Sequence, residues 1–221
     1  MKTVNRWLLA LLLAVCATSA AQAKDYKEGT EYVRLATPQP TSTEDRIEVV
    51  ELFWYGCPHC FHLEPYLDKW QENKPDDVEF VRIPAVLGAS WELLTKAYYV
   101  AELLGVLDKT HSALFKLLNV KRQKIKDEAA LQAFFAEQGV SKEDFTRTFN
   151  SFAVAVKLNN SRLMTKRYAL TGVPTLVVNG KFSSSGSRAG GNAQLVEVVD
   201  YLVTLERAAA SGEQVVTGSS E

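Results

Sequence analysis

A run of β-branched and aromatic residues leads directly into two cysteines that are separated by two residues. The run extends from Ile47 to Tyr55, and Cys57-Pro58-His59-Cys60 follows it. Its length and apolar character are typical of a strand buried on both faces of a helix-covered sheet. Pro58 is tolerated in the first turn of a helix, so we predict a helix from about Pro58 to Glu72. A second strand, Val78 to Ile83, completes a right-handed βαβ unit with the cysteines at the strand–helix junction.

The N-terminus has the three parts of a secretory signal peptide. Two basic residues precede the apolar run Trp7 to Val15, and small residues end at Ala23. We therefore predict that residues 1–23 are a signal peptide that is cut after Ala23. The apolar run is well short of the ~20 residues that span a bilayer, which disfavours a membrane anchor. A lipid anchor on Cys16 is disfavoured because the bulky Val15 precedes that cysteine.

The signal peptide changes the meaning of the cysteine count. Of the three cysteines, Cys16 leaves with residues 1–23, so the mature chain keeps only Cys57 and Cys60. Export brings this pair into a compartment where disulfides persist. A structural disulfide gains most when it closes a long loop, and a bridge across two residues gains little. The pair is therefore predicted to be reactive rather than structural.

Composition bounds the remaining classes of function. The chain has 221 residues, 47% of them hydrophobic, which is enough to bury a substantial core. The formal net charge is -1, and no basic run with interleaved aromatic residues is present in the sequence. Binding to nucleic acid or to acidic membranes therefore has little support.

The secondary-structure pattern divides the mature chain into two α/β parts around a helical segment. In the second part, an apolar strand at Thr175 to Val178 is followed by the hairpin signal Asn179-Gly180 and by a helix from about Asn192 to Ala209. We predict residues 24–89 as the first part, 90–168 as an all-helical insert, 169–210 as the second part and 211–221 as a flexible tail.

The position of Cys57 at a helix start predicts a stabilised thiolate. Unpaired backbone N–H groups and the positive end of the helix dipole favour an anion there. A free cysteine titrates near ~8.5, and a helix N-terminus or a Cys-x-x-Cys setting lowers that pKa. Cys60 lies one turn further along and should be less exposed, which makes Cys57 the attacking sulfur. His59 can supply a positive charge or a donor to Cys57, and an exposed histidine without a role is the alternative. Pro58 fixes the backbone of the first turn.

Zinc binding is the competing interpretation of two closely spaced cysteines. A structural zinc site needs four ligands, and the mature chain has no second cysteine pair. The three histidines are His59, His62 and His111, and the first two lie on the same short helix as the cysteines. Convergence of four ligands from this set is geometrically poor, so we expect no metal.

The chain resembles the thioredoxin superfamily and, within it, the bacterial periplasmic disulfide oxidases. The resemblance covers essentially the whole mature chain and is carried by CPHC, by VVELFWYG before it, by the helical insert and by GVPTLVVNGK. It implies an α/β thioredoxin-like fold, in which helices flank a mixed central sheet and an all-helical subdomain is inserted.

The resemblance also implies roles for residues outside the cysteine motif. Pro174 should follow a cis peptide bond and face the cysteines, while Val173 should present its backbone to an extended substrate. Glu51 matches an acidic residue that lies beneath the active site and assists proton transfer involving the buried thiol. Arg82, in the next strand, is the expected partner of Glu51. A solvated glutamate at a sheet edge is the alternative for Glu51.

The implied function is that of a soluble, monomeric periplasmic thiol:disulfide oxidase without organic cofactor or metal. Its partners would be reduced exported polypeptides and a quinone-linked membrane oxidase that reoxidises it. A disulfide isomerase or reductase on the same fold is an alternative, but about 25 residues before the first core strand are too few for a dimerisation domain. A peptide-binding chaperone with a merely structural disulfide, and a metal-binding module, are alternatives from other classes.

Overall fold

The computed structural model describes residues 25–43 and 45–212. The predicted signal peptide, residues 1–23, lies outside the described residues, and so do residues 213–221 of the predicted tail. None of the helices in the described part of the chain is long and apolar enough to cross a membrane.

The centre of the protein is a mixed sheet of five strands in the order β1-β5-β4-β2-β3. The strand β2 pairs in parallel with β3 and antiparallel with β4, and both β4–β5 and β5–β1 are antiparallel. Their bounds are β1 Val33–Arg34, β2 Ile47–Phe53, β3 Val78–Pro84, β4 Thr175–Val178 and β5 Phe182–Ser184.

Helices cover this sheet and form a separate layer beyond it. Their bounds are α1 Pro58–Asn73, α2 Glu92–Leu103, α3 Leu107–Asn119, α4 Glu128–Glu137, α5 Lys142–Phe149, α6 Phe152–Arg167, α7 Gly186–Ala189 and α8 Asn192–Ser211. A short 3-10 turn at Ala89–Trp91 leads into α2.

The strand β2 lies inside the sheet, and every residue from Glu48 to Phe53 is buried. Val49 packs with apolar side chains of α1 and α8, whereas Val50 and Leu52 pack on the opposite face near the end of α6. Because side chains alternate along a strand, Glu51 shares the face of Val49 and points toward α1. This placement excludes the solvated, sheet-edge position that was the alternative for Glu51.

The helices α2 to α6 form a compact core of their own. Phe115, Phe135 and Phe145 are fully buried in it, and Phe53, Tyr55 and Cys60 at the end of β2 and the start of α1 belong to the same cluster. The insert is thus packed directly against the cysteine-bearing junction.

The hairpin and the last helix follow the sequence pattern with one difference. Asn179 and Gly180 both have positive φ, of 50° and 62°, as the turn between β4 and β5 requires. The helix α8 extends to Ser211 rather than ending near Ala209, and Gly212 caps it in a left-handed conformation. The prediction of a flexible tail over residues 211–221 is therefore wrong for Ser211, which is the last residue of α8.

Candidate active site

Cys57 occupies the N-cap position of α1, and Pro58 is the first residue of that helix. The backbone of Cys57 is extended, with φ -94° and ψ 115°, so its side chain lies at the helix start beside the unpaired N–H groups of the first turn. Both cysteines are free thiols, Cys57 partly exposed and Cys60 buried. This is the arrangement of one accessible and one protected sulfur that the motif predicted.

The surroundings of Cys57 favour its thiolate. Its pKa is lowered to about 6, first by a hydrogen bond from the Cys60 thiol and then, against the opposing effect of burial, by the backbone N–H groups of Cys60 and His59. The charge of the exposed His59 side chain makes a smaller contribution in the same direction. A large fraction of Cys57 is therefore ionised at neutral pH in the reduced protein.

The surroundings of Cys60 favour its protonated form, in contrast to those of Cys57. Its side chain is completely buried, and burial raises the pKa of its thiol far above the ordinary value. The neighbouring Cys57 and the carboxylate of Glu51 raise this pKa further. Two sulfurs one helical turn apart thus differ sharply: Cys57 is stable as an anion, and Cys60 must carry a proton.

A cis peptide bond joins Val173 to Pro174 beside the cysteines, as the resemblance implied. The Cys57 thiol donates a hydrogen bond of 3.4 Å to the Val173 carbonyl oxygen. The Val173 N–H has no backbone partner in the described part of the chain. Backbone polar groups therefore stand next to the reactive sulfur and can pair with an extended chain.

An open cleft of about 450 Å³ continues from this point. It is lined by His59, residues 171–175, residues 185–187 and Asn192. Apart from His59, none of these residues has an ionisable side chain, and all are small or polar. In the segment that precedes the cysteine motif, the ring of Trp54 stacks on the ring of Trp91, with their centroids 4.3 Å apart.

Glu51 and Arg82 lie opposite each other in the β2–β3 register. The Arg82 Nε donates a 2.9 Å hydrogen bond to Glu51 Oε2, and Glu51 has no exposed surface. Burial, reinforced by the charge of Glu64, raises the pKa of Glu51 to about 7 despite the arginine. The expected partnership is present, and Glu51 can exchange a proton near neutral pH.

Sequence reasoning missed three further polar groups at this site. Glu64 accepts a 3.2 Å hydrogen bond from Arg82 Nη2 and contacts His111 Nε2 at 2.9 Å, and His111 Nδ1 lies 2.8 Å from the Tyr55 hydroxyl. Glu64 could have been found, because an acid four residues after Cys60 lies on the same face of α1. No local pattern identifies His111, because its contact with Glu64 depends on how α3 packs against α1.

The described residues contain no group of three or more His, Cys, Asp or Glu side chains placed to hold a metal ion. His59 and His62 are exposed on α1, whereas His111 is buried beneath it. The three histidines therefore do not converge with the cysteines.

Known proteins share both the sequence and this architecture. Residues 82–202 match the family described as DSBA-like thioredoxin domain. The thiol:disulfide interchange protein DsbA of Pseudomonas aeruginosa is 42% identical over 205 residues, which cover 92% of this chain and 97% of that protein. The chain belongs to the DsbA family. The DsbA of Pseudomonas syringae is also 42% identical, over 87% of this chain and 90% of its own length.

Solved structures of the DsbA family have the same fold. The crystal structure of Pseudomonas aeruginosa DsbA matches with a TM-score of 0.81 at 42% identity, covering 84% of this chain and 97% of that one. The oxidoreductase DsbA from Xylella fastidiosa matches with a TM-score of 0.78 at 33% identity, covering 84% and 100%. The predicted thioredoxin-like fold with its mixed sheet is confirmed.

Proposed function

We propose that this member of the DsbA family donates a Cys57–Cys60 disulfide to newly exported polypeptides and so assists their oxidative folding. Thiol:disulfide oxidoreductase activity follows from family membership. The observation that supports the direction of transfer is the opposite environment of the two thiols: the site stabilises the Cys57 thiolate and protonated Cys60. A site that stabilises its reduced form favours giving its disulfide away.

In the first step, a substrate thiolate attacks the Cys57 sulfur. The bond between the two protein sulfurs breaks, and Cys60 leaves with the electron pair. Because Cys60 is completely buried, its thiolate is a strong base that must take up a proton. The product is a mixed disulfide between Cys57 and the substrate.

In the second step, another thiolate of the substrate attacks the substrate sulfur of the mixed disulfide. Cys57 leaves as a thiolate, which the Cys60 thiol and the backbone N–H groups of the helix start stabilise. The substrate has lost two electrons and gained a disulfide, and the protein now carries two reduced cysteines.

Glu51 is the proposed proton carrier for Cys60. It is buried, its pKa is raised to about 7, and its charge acts on Cys60 directly. A carboxyl that titrates near neutrality can hold a proton for the departing thiolate and regain one afterwards.

Val173 and Pro174 are the proposed substrate cradle. The free N–H and the carbonyl of Val173 can pair with an extended peptide, as in the addition of a strand to a sheet edge. The absence of acidic side chains and of lysine or arginine from the adjoining described cleft residues suits substrates of varied sequence.

We further propose export to the periplasm and reoxidation by a membrane partner. The signal-peptide pattern of residues 1–23, with cleavage near Ala23, supports export. Each cycle leaves the protein reduced, so it needs an oxidant, for which the family resemblance suggests the quinone-linked membrane oxidase DsbB. We expect the protein to act as a monomer that is not embedded in the membrane.

Equilibration with glutathione tests the proposal. We expect a disulfide that is more oxidising than glutathione, together with a Cys57 pKa below 7. A potential near that of thioredoxin, about -270 mV, would contradict the oxidase direction. The double variant Cys57→Ala, Cys60→Ala should lose all oxidase activity in cells; unchanged cellular function would instead support a peptide-binding chaperone.

A further inference from the structure

One arginine donates hydrogen bonds to two buried carboxyl groups beneath the active site. Arg82 donates from Nε to Glu51 Oε2 at 2.9 Å and from Nη2 to Glu64 Oε2 at 3.2 Å. We call Glu51 and Glu64 the carboxyl pair. Arg82 is the only positive charge shown against the pair in the described part of the chain, and the exposed Asp68 also lies 3.7 Å from its Nη2. Burial, together with the charge of Glu64 on Glu51 and of Asp68 on Glu64, raises the pKa of each member of the pair to about 7. Near neutral pH the pair therefore holds one proton between its two members.

The two members of the carboxyl pair differ in the donors that they receive. Glu51 Oε2 accepts one hydrogen bond, from Arg82, whereas Glu64 Oε2 receives the donor of Arg82 and also contacts His111 Nε2 at 2.9 Å. The Oε1 atoms of both are buried without a partner in the described part of the chain. Hydrogen bonds to the charged form favour that form, so the extra contact matters if His111 donates.

Tyr55 determines which nitrogen of His111 carries the proton. The Tyr55 hydroxyl is buried, and its hydrogen-bond partner is His111 Nδ1, at 2.8 Å. A buried hydroxyl must donate, and burial raises the pKa of Tyr55, so the phenol keeps its proton. The Nδ1 atom is then the acceptor, and in the neutral ring Nε2 carries the hydrogen that is donated to Glu64.

The groups around His111 keep its ring neutral. Burial is the main cause that lowers the pKa of His111 to about 4, and the charge of Arg82 on β3 acts in the same direction. Glu51 on β2 and Asp68 on α1 oppose this shift. The ring of Tyr98 on α2 also faces it, at 6.3 Å between centroids, and burial holds that phenol protonated. His111 therefore acts through a donated hydrogen bond rather than through a charge.

We infer that His111 is a positioning residue that keeps Glu64 ionised and thereby places the shared proton on Glu51. Of the two carboxyls, Glu51 is the one whose charge acts on Cys60. The inference rests on the proposed oxidase function, which it deepens. When Cys60 leaves as a thiolate, the proton moves from the Glu51 carboxyl to the Cys60 sulfur, and Glu51 becomes the carboxylate paired with Arg82. The helical insert thus takes part in the reaction through one side chain of α3.

The first test is the pH dependence of substrate oxidation. His111→Phe keeps an aromatic ring among Phe53 and Phe115, whose centroids lie 5.4 and 5.1 Å away, but removes the donor to Glu64. His111→Gln is the matched control, since its amide can donate to Glu64 and accept from Tyr55. Stopped-flow fluorescence would give the rate constant for oxidation of a reduced dithiol peptide, corrected for the peptide's thiolate fraction.

A hydrogen bond to a charged group corresponds to a factor of about ten or more between two protonation sites. We expect His111→Phe to react about tenfold more slowly than wild type at pH 7, and His111→Gln to recover most of the rate. At about pH 5 both carboxyls carry protons, because the pKa of each is about 7, so the rates of wild type and His111→Phe should converge. A purely structural role would slow His111→Phe equally at every pH.

Carbon NMR of the glutamate carboxyls locates the proton directly. With ¹³C-labelled glutamate, the wild type should show a protonated Glu51 and an ionised Glu64 near pH 6.5, and His111→Phe should reverse this order. Tyr55→Phe provides a second variant should His111→Phe fail to fold. It removes the hydroxyl that donates to His111 Nδ1, so the ring is no longer held in the tautomer with hydrogen on Nε2, and the rate should fall about threefold. If wild type oxidises the peptide while the variants match its rate and carboxyl shifts, the inference is wrong and the proposed function stands. If wild type itself does not oxidise the peptide, the proposed function fails.

Discussion

The thiol of Cys60, rather than the charge of His59, should be the main stabiliser of the Cys57 thiolate. The hydrogen bond from the Cys60 thiol lowers the pKa of Cys57 more than any other contact does. The charge of His59 lowers it less than the backbone N–H groups of Cys60 and His59 do. Hydrogen bonds to charged groups contribute ~1.5–3 kcal/mol, and ~1.4 kcal/mol corresponds to one pKa unit. Because Cys57 is partly exposed, the lower end of this range applies. Cys60→Ala should therefore raise the pKa of Cys57 from about 6 to about 7.

The ultraviolet absorbance of the thiolate, followed against pH in the reduced protein, measures this pKa. Cys60→Ser is the matched control, because its hydroxyl can still donate to Cys57, and it should keep the pKa closer to 6. His59→Ala removes the side-chain charge but leaves the backbone N–H in place, so it should raise the pKa by less than about half a unit. The order of the three variants is the test.

A larger effect of His59→Ala than of Cys60→Ala would refute this reasoning and would make the histidine charge the main cause. The same pKa has a redox consequence in the wild type. Ionisation of Cys57 at pH 7 stabilises the reduced protein by about 1 kcal/mol after allowance for solvent screening, or about 20 mV in potential. Most of the oxidising power must then come from other differences between the two redox states.

Two stability predictions follow from buried and crowded positions. Glu51 has a folded pKa of about 7 against an ordinary 4.5, so its contribution to the free energy of unfolding is present below pH 4.5 and is lost as the pH rises through 7. Glu51→Gln should match wild type at pH 4.5 and exceed it by up to about 3 kcal/mol at pH 8, measured by urea unfolding under reductant; a constant difference across pH would contradict the assignment. Gly180→Ala should cost more than ~2 kcal/mol, because φ is +62° and the new Cβ would lie 2.0 Å from the Gln39 carbonyl oxygen. Gly88→Ala, which meets nothing within 4 Å, is the control, and equal melting temperatures would contradict the prediction.

The parts of the site that depend on local sequence could be predicted, and those that depend on packing could not. The strand before Cys57, the helix that begins at Pro58 and the strand Thr175–Val178 all follow from short patterns of residue type. Val173 and Pro174 required the family resemblance, because most X-Pro bonds are trans and no local pattern places them beside Cys57. His111 lies 47 residues from Glu64, and only the docking of the insert on α1 brings the two together.

The helical insert affects the pKa of both cysteines, which its own sequence does not predict. Cys60 belongs to a buried cluster that consists mostly of insert residues, among them Phe115 and Leu114 of α3. Burial is the main cause of the raised pKa of Cys60, so the insert desolvates this sulfur and forces it to be protonated. The proton of the Cys60 thiol in turn forms the hydrogen bond that most stabilises the Cys57 thiolate. The low pKa of the partly exposed Cys57 sulfur therefore depends, through Cys60, on helices that do not line the cleft beside Cys57 in the described part of the chain.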